Sequence, residues 1–408
     1  MQLKRVVITG MGAVSPLGMG VSSLMQGIAE GRSAVRSMPG WEAYKGLRSL
    51  VAAPAPLVNE KDIPRQARRS MGPMSIFSVQ ASQEALRDSG FDSSQLASGR
   101  VGCIIGSTMG GATSINEVFE IMIPKKDLTL LTSMKFFQCV SHTAALNVAQ
   151  FFGIKGVVMA TSAACASGLQ AVGAAYDLIR LGRQDAVLCG GAEELHPTVT
   201  GSFDVLFATS AGFNQSPSET PRPFDAKRDG LVCGEGAAVM LAEEYEHARA
   251  RKARIYGEIT GYHTCSSGLH ISQSSREALA VCMKNALKSA EVLPAEVDYI
   301  NAHATATVQG DKEEAEAVRD VFKDTVPVSS LKGYFGHTLG ASGALELIAT
   351  LMMMKDGTLC PTRNLTEVAE DCKGIRHLQK PLQKKARCIL KNAFALGGLN
   401  AAMVVRAL

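Results

Sequence analysis

A strand, a turn built from small residues and a helix follow one another twice in this chain, and that repetition limits the fold more than any other feature. The first copy is centred on Thr161-Ser162-Ala163-Ala164-Cys165-Ala166-Ser167-Gly168. Before it, Val157-Val158-Met159 reads as a short buried strand; after it, Leu169, Val172, Tyr176 and Ile179 recur at helical spacing until Gly182 stops the run. The second copy leads from Pro327-Val328-Ser329-Ser330 through the glycine-rich Gly333–Gly343 to a helix with Leu345, Ile348, Leu351 and Met352 on one stripe. Two similar α/β halves, each with a buried sheet between helix layers, are the economical architecture.

Other stretches fit this plan. Val6–Gly18 opens as a strand entering a turn, and its Gly10-Met11-Gly12 matches a dinucleotide-binding fingerprint poorly, because Ser15 stands in place of the third glycine. Residues 71–89 predict a helix ending near Gly90, and 142–152 a second one. Arg100–Ile105 and Asp185–Cys189 predict strands, the latter ending at Gly190-Gly191. Asn214–Arg228 is a polar connection expected on the surface near a site entrance. Gly230–Leu241 and Ala253–Thr260 read as strands, Ser274–Ala290 as a helix, Val297–Asn301 as a strand, and Cys388-Ile389-Leu390 with Met403-Val404-Val405 as a closing hairpin.

With 408 residues, 46% of them apolar and 20% charged, the chain can bury a large core. No apolar stretch is long enough to span a bilayer, and the start lacks the pattern of a secretion signal. The 10 cysteines include no C-x-x-C pair and no zinc spacing, so reduced thiols, a cytoplasmic setting and no structural metal are expected. A net charge of +4 with dispersed basic residues argues against nucleic acid.

Three distant stretches carry reactive side chains in glycine- and alanine-rich surroundings: Cys165; Asn301-Ala302-His303-Ala304-Thr305-Ala306-Thr307; and Lys332-Gly333-Tyr334-Phe335-Gly336-His337-Thr338-Leu339-Gly340. At a helix start, Cys165 would meet unpaired N–H groups and the positive dipole end, which favour thiolate. Taken singly, the cysteine reads equally as a buried structural thiol, and each histidine as a surface or core residue.

Together the stretches resemble the elongating β-ketoacyl-[acyl carrier protein] synthases of the I/II type, in the thiolase-like superfamily. The resemblance starts at Arg5-Val6-Val7-Ile8-Thr9-Gly10-Met11-Gly12, includes Arg222-Pro223-Phe224-Asp225 and Arg228-Asp229-Gly230, and ends at Phe394–Asn400. It implies a five-layered α-β-α-β-α core, with residues 1–250 carrying the nucleophile and 251–408 carrying the two histidines and the lysine. It further implies that Cys165 takes the acyl chain as a thioester, and that His303 and His337 stabilise the enolate left when malonyl-carrier protein loses carbon dioxide. Backbone N–H groups of Cys165 and Leu396 would form the oxyanion hole. Lys332 would support catalysis, with Asp311, Glu314 and Glu346 balancing and orienting it; a structural salt-bridge role for all four fits equally. Thr305 and Thr307 would contact the phosphopantetheine arm, or serve as turn residues.

The resemblance also carries acyl carrier protein as partner, a homodimer or a heterodimer with a related subunit, and no cofactor or metal. Arg65, Arg68, Arg69, Lys125 and Lys126 match docking charges, where solvated surface charge is the plain alternative. Met109 matches a residue limiting the depth of the acyl pocket, and Phe394 belongs to the substrate-facing run. Two site-facing phenylalanines of the family are leucines here, Leu231 and Leu396, and Ala304 and Ala306 replace a glycine and a serine. The leucines predict an unusual acyl preference. The competing expectation is a chain-length-factor-like subunit of a ketosynthase heterodimer, which Cys165 and both histidines argue against.

Overall fold

The computed structural model describes residues 3–56, 60–270 and 274–408. Twelve of its strands join in one sheet, whose two arms share a five-strand topology. In the first arm, Val158–Met159, Val101–Gly106 and Ala186–Glu193 are parallel, and Gly236–Glu244 and Val6–Ser15 continue antiparallel. In the second, Pro327–Ser329, Tyr299–Asn301 and Cys388–Phe394 are parallel, and Leu399–Arg406 and Gly257–Ser266 continue antiparallel. The arms meet where Val6–Ile8 pair with Gly257–Ile259.

Helices Ser167–Arg180 and Ser342–Asp356 pack on strands of both arms and form the middle layer. The reason is legible in Ser342–Asp356, which is buried on nearly every side from Ser342 to Met354 and so has no face to offer water. The sequence pattern predicts only one apolar stripe, at Leu345, Ile348, Leu351 and Met352. Helices Pro73–Ser89 and Thr143–Phe152 cover the outer face of the first arm, and Arg276–Ser289 and Val308–Phe322 that of the second. The result is the five-layered α-β-α-β-α thiolase-like architecture. Pro73–Ser89 stops at Gly90, which takes φ 59°, as the sequence predicts.

Several expectations need correction. Val158–Met159 is a strand, but it is the outermost one and its side chains are 43% and 42% exposed, because only Val101–Gly106 pairs with it. The strand at Ala186 does not end at Gly190-Gly191 but runs to Glu193. Those glycines serve close approach: a Cβ on Gly190 would lie 1.9 Å from the Ala238 carbonyl oxygen, and one on Gly191 2.1 Å from that of Gly340. The Asn214–Arg228 connection is not a surface loop throughout. Thr220, Phe224 and Asp225 are buried, and the Asp225 carboxylate accepts the backbone N–H groups of Thr366 (2.8 Å) and Glu367 (3.0 Å). Gly230–Leu241 becomes regular only from Gly236, and the strand expected at Ala253–Thr260 runs Gly257–Ser266. Among the described residues, no helix is long and apolar enough to cross a membrane.

Candidate active site

Cys165 occupies a tight turn just before helix Ser167–Arg180. Ala164 holds the turn at φ 48°, a left-handed conformation uncommon for a residue with a Cβ. The Ser167 hydroxyl braces it, accepting the Ala163 N–H (2.8 Å) and donating to the Ala164 carbonyl (2.6 Å). Cys165 ends up 3% exposed, with the backbone N–H groups of Cys165 and Leu396 directed at its sulfur. The expected thiolate is not its resting form. Burial pushes the thiol up to about 12, outweighing the opposing pull of the Lys332 charge and those two N–H groups.

Both histidines reach this sulfur from the second arm. His303 follows strand Tyr299–Asn301, and its N–H and that of Ala304 donate to Glu314 at 2.9 and 2.6 Å. His337 lies between Lys332–Phe335 and Leu339–Ala341, clamped to the first arm by its N–H on the Val232 carbonyl (2.7 Å) and its carbonyl accepting the Gly234 N–H (2.8 Å). The ring centroids are 5.2 Å apart at 79°, and Cys165 Sγ and one nitrogen of each ring lie within 4.8 Å of one another. Burial, then the Lys332 charge, hold both imidazoles well below their usual range, so both are neutral at pH 7. Neither ring nitrogen of His337 has a partner among the described residues, although both are buried. Unpaired polar atoms in such a place are sites for a substrate atom.

Behind the histidines lies a buried ionic cluster. Lys332 is fully buried, donates to Glu346 and reaches the His303 carbonyl at 3.0 Å. The other oxygen of Glu346 accepts Lys391, also fully buried, at 2.5 Å. Lys391 is a site residue that sequence reasoning missed, although a lysine in the apolar run Cys388–Phe394 was a visible anomaly. Glu193, likewise missed, accepts the N–H groups of Thr108 (2.8 Å), Met109 (3.2 Å) and Gly340 (3.0 Å), tying the loops of the two arms together.

Of the three carboxylates expected to orient Lys332, only Glu346 touches it. Glu314 binds backbone N–H groups and the Asn392 amide, and Asp311 accepts the N–H groups of Phe224 (2.7 Å) and Ala306 (3.0 Å). Burial pushes Asp311 up to about 7.

Cys165, Leu231, His303, Thr305, Thr307, His337, Phe394 and Leu396 line one cavity. Thr307 and Leu396 also line its neighbour, which reaches the surface beside exposed Leu206, Phe207 and Val308. Met109 is not part of that lining; its side chain is 39% exposed. Arg65, Arg69, Lys125 and Lys126 are exposed, at helix Arg65–Arg68 and the end of helix Ala112–Lys125, and Arg68 pairs with Glu60 at 2.7 Å.

Known proteins share this arrangement over its full extent. The family "Beta-ketoacyl synthase, N-terminal domain" matches residues 3–248, and "Beta-ketoacyl synthase, C-terminal domain" residues 256–366. A 3-oxoacyl-[acyl-carrier-protein] synthase 1 of Haemophilus influenzae is 33% identical over 408 residues, 99% of each chain. The crystal structure of a beta-ketoacyl synthase from Burkholderia phymatum is 43% identical and superposes with a TM-score of 0.96 over 99% of this chain and 100% of that one. A ketosynthase of a type II polyketide system, solved in complex with its acyl-carrier protein, is 30% identical with a TM-score of 0.91 over 100% of both chains. A likeness that runs through both arms of the sheet, and through the segments that bring Cys165 and the two histidines together, places this chain in the beta-ketoacyl synthase family.

Proposed function

We propose that this chain catalyses the decarboxylative Claisen condensation of malonyl-[acyl carrier protein] with an acyl chain held on Cys165, in fatty-acid or polyketide-like elongation. The observation that carries this reading is the buried Cys165 sulfur facing two neutral imidazoles. In the first step the sulfur attacks the acyl-carrier thioester; the carrier thiol leaves with the proton, and acyl-Cys165 forms. In the second, malonyl-carrier protein loses carbon dioxide, and the electron pair of the broken bond becomes an enolate whose oxygen meets N–H donors of His303 and His337. Its carbon attacks the acyl carbonyl, whose developing oxyanion the N–H groups of Cys165 and Leu396 receive. Collapse expels the Cys165 thiolate, which takes up a proton, and releases β-ketoacyl-carrier protein. Side chains and substrates carry every step, so the reading needs neither a metal nor a redox cofactor.

Thr305 and Thr307, on the way to the surface, suit the phosphopantetheine arm, and Leu231 and Leu396 replace rigid rings with flexible side chains beside Cys165, which suits an unusual acyl chain. Basic Arg65, Arg69, Lys125 and Lys126 suit an acidic carrier protein. The unpaired outer edge of Val158–Met159, with its exposed apolar side chains, suits pairing with a second copy. Free thiols throughout suit the cytoplasm.

Mass spectrometry of the intact protein, incubated with acyl-carrier proteins of varied chain, tests the reading. Wild type should gain an acyl group and Cys165→Ala none. His303→Ala should keep acylation and lose condensation by about 100-fold or more, the scale of a lost donor at a developing oxyanion. No acylation of wild type by any chain would refute the enzyme assignment. Equal preference for all common saturated chains would refute the specialised pocket.

A further inference from the structure

Two lysines share one carboxylate at the back of this site. Lys332 binds one oxygen of Glu346 and Lys391 the other, and all three side chains are fully buried. Lys332 alone would neutralise Glu346; the second ammonium leaves a surplus positive charge that is fully buried, an arrangement that costs stability. Each element packed around Lys391 contributes to its surroundings. Helix Ser342–Asp356 supplies Glu346, the short helix Lys332–Phe335 supplies Lys332, and helix Val308–Phe322 supplies Glu314. Its own strand supplies the Asn392 carbonyl at 2.7 Å. Glu314 does not close the balance by contact, since its oxygens are taken by the N–H groups of His303 and Ala304 and by the Asn392 amide. The charge of Lys391 acts on both His303 and His337 in the sense that keeps them neutral.

We propose that Lys391 is a positioning residue for the carbon–carbon bond-forming half-reaction: by holding the second oxygen of Glu346 it fixes Lys332 on the His303 carbonyl, and its surplus positive charge favours the shift of negative charge from the departing carboxylate onto the enolate oxygen at His303 and His337. This rests on the condensation reading above. Acyl transfer to Cys165 forms no enolate, and the oxyanion that develops in it falls to the N–H groups of Cys165 and Leu396 and not to the histidines in front of Lys391. The charge itself is titratable: burial, with the Lys332 charge adding to it and Glu346 opposing it, lowers Lys391 to about 8. The ammonium is therefore present below that pH and lost above it.

The test compares wild type, Lys391→Met and Lys391→Arg in separate assays of Cys165 acylation and of carbon dioxide release from malonyl-carrier protein, each across pH. Lys391→Met should acylate within about twofold of wild type and release carbon dioxide about tenfold more slowly at pH 7, a smaller loss than for a donor that touches the oxyanion. The alkaline fall of carbon dioxide release in wild type should be absent in Lys391→Met, and should move to higher pH in Lys391→Arg, which stays charged. Parallel loss of both half-reactions with an unchanged pH profile would mean a merely structural lysine and overturn the proposal. So would unchanged carbon dioxide release in Lys391→Met. Should Lys391→Met not fold, a Lys391→Arg profile that coincides with wild type would overturn it equally. Failure of wild type to acylate Cys165 at all would instead bring down the condensation reading.

Discussion

The Cys165 sulfur meets two opposed influences: the Lys332 charge and the N–H groups of Cys165 and Leu396 favour thiolate, and burial favours thiol. Burial is the larger, and it sets the resting thiol at about 12. Far below that value the thiolate fraction rises with pH without levelling off. Alkylation of Cys165 by iodoacetamide, followed by peptide mapping, should therefore accelerate about tenfold per pH unit from about pH 7 to 9; a plateau near neutrality would show that the Lys332 charge and the two N–H groups prevail. The same burial holds His303 and His337 neutral, so neither delivers a charge to the enolate. The positive charge at the site resides on Lys332 and Lys391, one layer back.

Three elements touch where the reactive groups converge, and they do so through glycine. Gly168 of helix Ser167–Arg180, Gly191 of strand Ala186–Glu193 and Gly340 beyond His337 meet backbone to backbone. A Cβ on Gly168 would lie 2.5 Å from the Gly340 carbonyl oxygen. Helix propensity alone favours alanine over glycine by about 1 kcal/mol, yet here the added methyl must push the His337 segment away. Gly168→Ala should destabilise by about 1–3 kcal/mol in chemical denaturation, the range for overpacking, and should slow condensation more than acylation, because Cys165 stays while His337 moves. A variant as stable as wild type, with both half-reactions intact, would show that the contact has slack. Glu193 reinforces the seam by accepting the Thr108 N–H from one arm and the Gly340 N–H from the other.

At the scale of the whole molecule, neither arm is sufficient: the first holds the thiol, the second both imidazoles and the ionic cluster. The middle helices join the arms, while the Val158–Met159 edge is left open. Sedimentation of wild type should give twice the chain mass, and Met159→Glu, which puts a charge in the middle of that edge, should shift it toward monomer; a monomeric wild type would remove the dimer. The sequence by itself determined the alternation of strands and helices and the repeated strand–turn–helix unit, and its resemblance to a known family singled out Cys165, His303, His337 and Lys332, which the structure brings together. Those features rest on local periodicity, or on short runs with one chemically distinctive residue. It did not determine that Val158–Met159 lies at an edge, that the strand at Ala186 passes through Gly190-Gly191, that Asp225 is buried, or that Asp311 and Glu314 serve backbone N–H groups instead of Lys332. Exposure and partnership depend on what the other arm places alongside. Lys391 is the sharpest case: in the sequence it is one lysine in an apolar strand, and only the packing of Ser342–Asp356 against that strand brings Glu346 to it and gives its charge a use.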